Sequence, residues 1–250
     1  NLTTYKDDAF LSKQLATINR DSPITISLED LNYTGYEDEK VQTIFTELGF
    51  QSLLDKMDLK DDQALALSQI NFKIVESVTE DIFTGQDAVV VEMIDENYHH
   101  ANIEGFGIVN SKGMYFIPTD VALESIEFKT WAEDPSNEKI VYDAKAILVS
   151  LLNKDIHIKG MAFDLLLAAY LLNPAQNNDI PSISHRMGMK DVQTDEAVYG
   201  KGAKKKVPEQ SILAEHIVRK ANSIYKLKDK FEEELKSNEQ LKLYQDLEIP

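Results

Sequence analysis

Residues 88–109 read AVVVEMIDENYHHANIEGFGIV. The stretch opens on four apolar residues without alternation, the pattern of a strand covered on both faces. After a polar loop a second strand-like run, NIEGFGIVN, follows, and MYFIP comes next behind the turn SKG. Links this short make three such strands largely antiparallel. NFKIVES, upstream, is also strand-like. Downstream, DVALESIEFKTWAED reads as a helix, KIVYD as a short buried strand and AKAILVSLLNK as a helix. AFDLLLAAYLLN, apolar nearly all round, reads as the central core helix. Helices crossing between the later strands predict an α/β fold: a mixed sheet with helices on its faces.

The flanks carry weaker patterns. Leu11, Leu15 and Ile18 recur at helical spacing, Pro23 breaks the run, and Ile24, Ile26 and Leu28 alternate as a brief strand would. A second helix is expected from Glu37, with Val41, Ile44, Phe45 and Leu48 on its apolar face and Gly49 placed to stop it. MDLKDDQALALSQ, residues 57–69, reads as a linker. Beyond Pro174 the chain turns polar and irregular up to GKGAKKK. A long helix is then expected over residues 208–236, with a shorter one after Asn238.

The chain holds no cysteine, which excludes disulfides and thiolate metal sites and suits a reducing compartment. No apolar run approaches the roughly 20 residues of a membrane span, so no membrane partner is expected. The net charge is −17 over 250 residues. A chain this acidic repels a phosphate backbone overall, and any grip on nucleic acid has to come from a local patch or from another part of a larger protein. Residues 201–250 hold eleven Lys and Arg against nine Asp and Glu, while the first two hundred hold fifteen against thirty-four. Within that basic tail, Lys201, Lys204, Lys205 and Lys206 of YGKGAKKK are the candidate DNA-backbone contacts; the segment lacks the spacing of a nucleotide-binding loop.

Four segments in this order, ENYHHANIEGFG, FDLLLAAYLLNP, DEAVYGKG and LAEHIVRKA, resemble the exonuclease-like domain that precedes the polymerase domain in bacterial DNA polymerase I, family A. LATINRDSPITISLEDL and ELGFQSLLDKM resemble the end of the 5′ nuclease domain of the same polymerases. The resemblance implies three parts. Residues 1–57, small and mostly helical, would be the tail of the 5′ nuclease domain and residues 58–69 a linker. Residues 70–250 would be a degenerate 3′–5′ exonuclease-like domain with a ribonuclease H-like three-layer fold. The chain is then expected to start after the catalytic carboxylates of the 5′ nuclease and to end where the polymerase domain begins. The implied parent is a DNA-directed DNA polymerase, a nucleotidyltransferase of replication and repair in the bacterial cytoplasm and nucleoid. Its polymerase and 5′ nuclease domains would be the partners of this piece, DNA would be met through the parent, and Mg²⁺ would serve the polymerase domain. No cofactor is expected here.

Proofreading members of that family hold two divalent ions on an Asp-x-Glu of the first core strand, an Asp on a helix and a Tyr-x-x-x-Asp on a later helix. Matched residue by residue, the strand Asp falls on Glu92, its partner Glu on Ile94, the helix Asp on Ile147, and the Tyr and Asp of the last motif on Arg219 and Ser223. Ile94 shares a strand face with Glu92 and sets hydrocarbon where a cation needs oxygen. The resemblance therefore implies vacated positions, with no catalytic residue and no metal ligand, in a vestigial domain that supports and spaces a polymerase without proofreading.

Two other readings remain. An active exonuclease would use Glu92 with Asp95, Asp143 or Asp164, although the last two stand where an Asp caps a helix. A stand-alone nucleic-acid-binding module is opposed by the charge. His99 and His100, adjacent on an extended chain, point to opposite sides and are expected to be solvated. Trp131 is expected to pack, and the charges of Arg219 and Lys220 to face solvent.

Overall fold

In the computed structural model, the run that opens at Ala88 is the central strand of a six-stranded mixed sheet. The model describes residues 3–19, 21, 23, 26–27, 31–32, 35–47, 50, 53, 67–95 and 97–249, which fall in two units, 1–59 and 60–250. The sheet belongs to the second unit. Its strands are β1 (Lys73–Ile74), β2 (Gln86–Glu92), β3 (Gly105–Asn110), β4 (Gly113–Ile117), β5 (Glu138–Val141) and β6 (Met161–Asp164), in the order β1-β4-β3-β2-β5-β6. As the short links require, β2, β3 and β4 form an antiparallel meander, while β1 joins β4 and β5 joins both β2 and β6 in parallel.

Alternation along β2 divides the core. Ala88 and Val90 enter one apolar cluster, Val89 and Val91 the other. The second cluster lies under α3 (Thr119–Leu123), α4 (Ile126–Glu133) and α5 (Ala144–Leu152); the first lies under α6 (Leu165–Leu172), α7 (Ile180–Arg186) and α9 (Gln210–Ser237), with α8 (Asp195–Tyr199) at its margin. The chain then takes a short helical turn and a π-helix over Tyr244–Glu248. Among the described residues no helix is long and apolar enough to cross a membrane.

Three sequence expectations change. The helix expected over residues 120–134 is two, because Ser125 is extended and its hydroxyl accepts from the Phe128 N–H, starting α4 afresh. The run AFDLLLAAYLLN begins as β6 and becomes α6 at Asp164, whose carboxylate accepts from the N–H groups of Leu166 and Leu167. α6 is not the central helix, since Tyr170 on it is exposed; the 28-residue α9 crosses the sheet instead. Gly107 permits that crossing: a Cβ there would lie 2.8 Å from Ile217 Cγ2 and 3.0 Å from the Ile217 carbonyl oxygen. The polar stretch after Pro174 also contains α7, with Asp179 as its N-cap and Pro181 in its first turn.

A polar knot closes the sheet at the start of β2. Asp87 is fully buried and accepts from Trp131 Nε1 (2.9 Å), Asn110 Nδ2 (2.6 Å) and the Thr84 N–H (3.1 Å). Trp131 also stacks on Phe83, so the packing role expected of it holds. Lys139, buried on β5, donates to the carbonyls of Trp131 and Asp134. Burial pulls its pKa down from 10.5 to about 8, against the opposing pull of Asp134 and Asp87.

The first unit contains α1 (Lys6–Ala16) and α2 (Asp38–Glu47). No residue of α1 is buried, and Phe10, Leu11 and Leu15 are each more than half exposed. Ile26 is exposed and in no strand. Ile24, Leu28 and Gly49, and most of the expected linker, lie outside the described residues.

Candidate functional site

Glu92 is the last residue of β2 and points to the face covered by α9. The positions on α9 that meet it are His216 and Lys220, four residues apart and so on one side of a helix. Lys220 Nζ lies 2.8 Å from Glu92 Oε1, 3.1 Å from Oε2 and 2.5 Å from Asp195 Oδ1. Tyr199, at the end of α8, donates its hydroxyl to Glu92 Oε1 at 2.9 Å. His216 Nε2 is 2.8 Å from Asp195 Oδ1, and its ring stands edge-on to that of Tyr199. Glu92, Lys220, His216 and Tyr199 are buried, whereas the Asp195 side chain is about half exposed (52%).

The charges of this cluster set one another. Burial works against the Lys220 ammonium, but Glu92 and Asp195 outweigh it and leave the group above its ordinary 10.5. For Asp195, burial works against the carboxylate; the His216 hydrogen bond and the Lys220 charge prevail and hold it well below the usual carboxylate range. Burial, and then the adjoining Glu92, push the Tyr199 phenol far up, so it stays a donor.

The site opens into a cleft of about 240 Å³ at the carboxyl end of β2, lined among others by Glu92, Tyr98, Tyr142, Asp143, Asp195 and Lys220. That volume is below the roughly 300–1,000 Å³ of ordinary ligand sites. Its other carboxylates are engaged in the backbone. Asp143 caps α5 by accepting from the Ala146 N–H at 3.0 Å, and Asp179 caps α7 through the Ser182 N–H. Asp95 accepts from the Asn97 N–H. Asp164, behind the cleft, takes the N–H groups of Asp143, Ala144, Leu166 and Leu167 and is buried. Both Asp143 and Asp164 therefore have the capping role expected of them.

The five positions matched in the sequence separate in space. Glu92 holds the centre. Ile94 packs against the core on the α9 side, and its carbonyl receives Lys205 Nζ at 2.8 Å. Ile147 is buried in the opposite cluster and reaches the cleft wall with hydrocarbon. Arg219 and Ser223 do not face Glu92. Arg219 is buried among Asp191 (3.1 Å), Glu215 (2.6 Å) and the Ser68 carbonyl (2.6 Å), and Ser223 bonds Ser184. The match places this pair three residues beyond the one that faces the strand, which turns a helix by about 60°. The cation beside Glu92 is thus Lys220, and neither Arg219 nor Lys220 is a solvated charge. His99 and His100 are exposed, as expected.

Lys220, His216, Asp195 and Tyr199 were missed by sequence reading. Their donor geometry bears on metal binding: atoms of Glu92, Asp195 and His216 lie within 4.8 Å of one another. Two divalent ions do not fit this set, because an ammonium stands among the donors and Ile94 and Ile147 offer no oxygen.

Comparison with known proteins places the fold in a family. Residues 89–227 match the family described as DNA polymerase I, ribonuclease H-like domain. The whole chain is 45% identical to DNA polymerase I of Bacillus subtilis (strain 168), of which it spans 29%. Among solved structures it resembles the POL domain of Pol1 from M. smegmatis in complex with DNA primer-template and dNTP (TM-score 0.57, 19% identity, 72% of this chain and 30% of that one). It also resembles Escherichia coli RNase D, an exoribonuclease involved in structured RNA processing (TM-score 0.56, 13% identity, 71% of this chain and 48% of that one). At such identities the likeness shows the fold, the ribonuclease H-like exonuclease fold expected from the sequence. With more than half of its length matched by the family, the chain belongs to the ribonuclease H-like, exonuclease-like domain family of DNA polymerase I.

Proposed function

We propose that this exonuclease-like domain is catalytically vestigial and serves a DNA-dependent DNA polymerase I as a structural module. Residues 70–250 would pack beside the polymerase domain, and residues 1–57, as the tail of a 5′ nuclease domain, would reach it through the 58–69 linker. The parent would copy DNA in replication and repair without proofreading, in the bacterial cytoplasm, using Mg²⁺ in its polymerase domain.

The observation that carries this reading is that Glu92 is already paired with a buried ammonium and a phenol. Its carboxylate already receives two contacts from Lys220 and one from Tyr199. Two-metal hydrolysis needs several carboxylates with lone pairs turned to the ions; here Asp143, Asp164 and Asp179 cap helices, Asp95 holds the Asn97 N–H, and Asp195 pairs with Lys220 and His216. Retaining the fold without the chemistry is physically coherent, because burial stabilises the domain while activity rests on a few side chains.

The test is direct. A 5′-labelled single-stranded oligonucleotide is incubated with the chain and Mg²⁺ or Mn²⁺, and no shortening from the 3′ end is expected. Ion-dependent shortening that disappears in Glu92→Gln would establish the opposite reading, an exonuclease working with relocated carboxylates.

A further inference from the structure

The Glu92 cluster converges as a metal site does, yet a cation of its own fills it. Donor atoms of two carboxylates and one imidazole lie within 4.8 Å of one another. Lys220 Nζ stands 2.8 Å from Glu92 and 2.5 Å from Asp195. Two carboxylates drawn this close repel unless a positive charge lies between them, and a buried charge persists where a partner and hydrogen bonds compensate it. His216 supplies the imidazole donor through Nε2, 2.8 Å from Asp195 Oδ1, while its buried Nδ1 has no hydrogen-bond partner among the described residues. Asp195, half exposed, gives the cluster a side open to solvent.

We propose that Lys220 is the resident cation of this site, a tethered ammonium that holds Glu92 and Asp195 together and shuts out divalent ions, so that removing its charge alone makes Glu92, Asp195 and His216 a site for one divalent metal. The proposal rests on the reading of the domain as non-cleaving and explains how the cluster stays folded once the ions are gone. One imidazole and two carboxylates suit Zn²⁺, with Mn²⁺ bound more weakly by the same donors. A single such ion leaves the two-metal arrangement incomplete, so no gain of cleavage is expected.

The experiment compares the wild-type chain, Lys220→Met, Lys220→Ala and the double variant Lys220→Met/Glu92→Gln by titration calorimetry with Zn²⁺ and with Mn²⁺, and by thermal melting with and without each ion. Lys220→Met keeps most of the side chain but lacks the terminal ammonium, and Lys220→Ala leaves more room for an ion. The expected result is one equivalent of Zn²⁺ bound by either single variant at least tenfold more tightly than by wild type. Their melting temperatures rise with the ion, and both effects vanish in the double variant. If a single variant does not fold alone, Zn²⁺ is expected to restore its circular dichroism; failure to do so overturns the proposal. Folded single variants that bind no more tightly than wild type overturn it too, as does wild-type binding of equal strength without cleavage, while the non-cleaving reading stands in each of these cases. Metal-dependent cleavage by wild type would instead overturn that underlying reading.

Discussion

At Glu92 a carboxylate, an ammonium and a phenol meet with little water around them, and their partnership is mutual. Glu92→Ala leaves Lys220 buried with Asp195 as its remaining anion and deprives the Tyr199 hydroxyl of its acceptor. Breaking a buried pair from one side costs about 3–5 kcal/mol, and the surviving Asp195 contact sets the expectation near about 3. Tyr199→Phe removes one hydrogen bond to a charged group, expected at about 1.5–2 kcal/mol. Urea midpoints of the two variants should follow that order, and a Glu92→Ala midpoint equal to wild type would mean that the ion pair contributes nothing to the fold. Lys220 could have been located from the sequence. Leu213, Ile217, Ile224, Leu227 and Phe231 follow the 3-4 spacing of a buried stripe, and residue 220 occupies the position between Ile217 and Ile224. A lysine on an apolar stripe needs a buried anion, and Glu92 on an otherwise apolar strand is the matching anomaly. By contrast, nothing local in DEAVYGKG marks Asp195 or Tyr199 as its neighbours, because α8 meets α9 through tertiary packing.

Among the elements, those with a clean period were legible and those inside unbroken apolar runs were not. The β2–β3–β4 meander followed from short links, and α9 from its length and spacing. MAFD and the leucines behind it form one apolar run, in which strand and helix have the same appearance. Asp164 is the one punctuation between them: it ends β6, caps α6 and binds the start of α5 as well. The crossing of α9 over β3 depends on a residue that the sequence shows merely as a strand glycine. In Gly107→Ala the new methyl would lie 2.8 Å from Ile217 Cγ2 and 3.3 Å from Ala221 Cβ, with the Ile217 carbonyl at 3.0 Å. Backbone cannot yield as a flexible side chain can, so overpacking of about 1–3 kcal/mol is expected. The same displacement would draw Lys220 away from Glu92. Chemical denaturation measures the first effect; a melting temperature unchanged by Gly107→Ala would show that α9 has slack over the sheet.

For the molecule as a whole, the charge of −17 weighs against DNA, and the lysines of residues 201–206 are the place where attraction could outweigh it. Two of the four have partners within the fold: Lys201 lies 3.1 Å from Glu196, and Lys205 donates to the Ile94 carbonyl. Lys204 and Lys206 are exposed. Contacts to a single strand each contribute about −0.7 to the slope of log affinity against log salt. Two such contacts predict a slope of roughly −1.4, and all four, if the partnered lysines exchange carboxylate and carbonyl for phosphate, roughly −2.8. Fluorescence anisotropy of a labelled oligonucleotide across a salt series, without added divalent ions, measures this slope. Binding is expected to be detectable at low salt and lost near physiological salt, since so few contacts work against so acidic a body. Replacing all four lysines by alanine should flatten the dependence, and replacing Lys204 and Lys206 alone should remove most of it if the other two keep their partners. A slope that survives the fourfold replacement would place the DNA contact elsewhere on the chain and leave this loop as a solvated connection between α8 and α9.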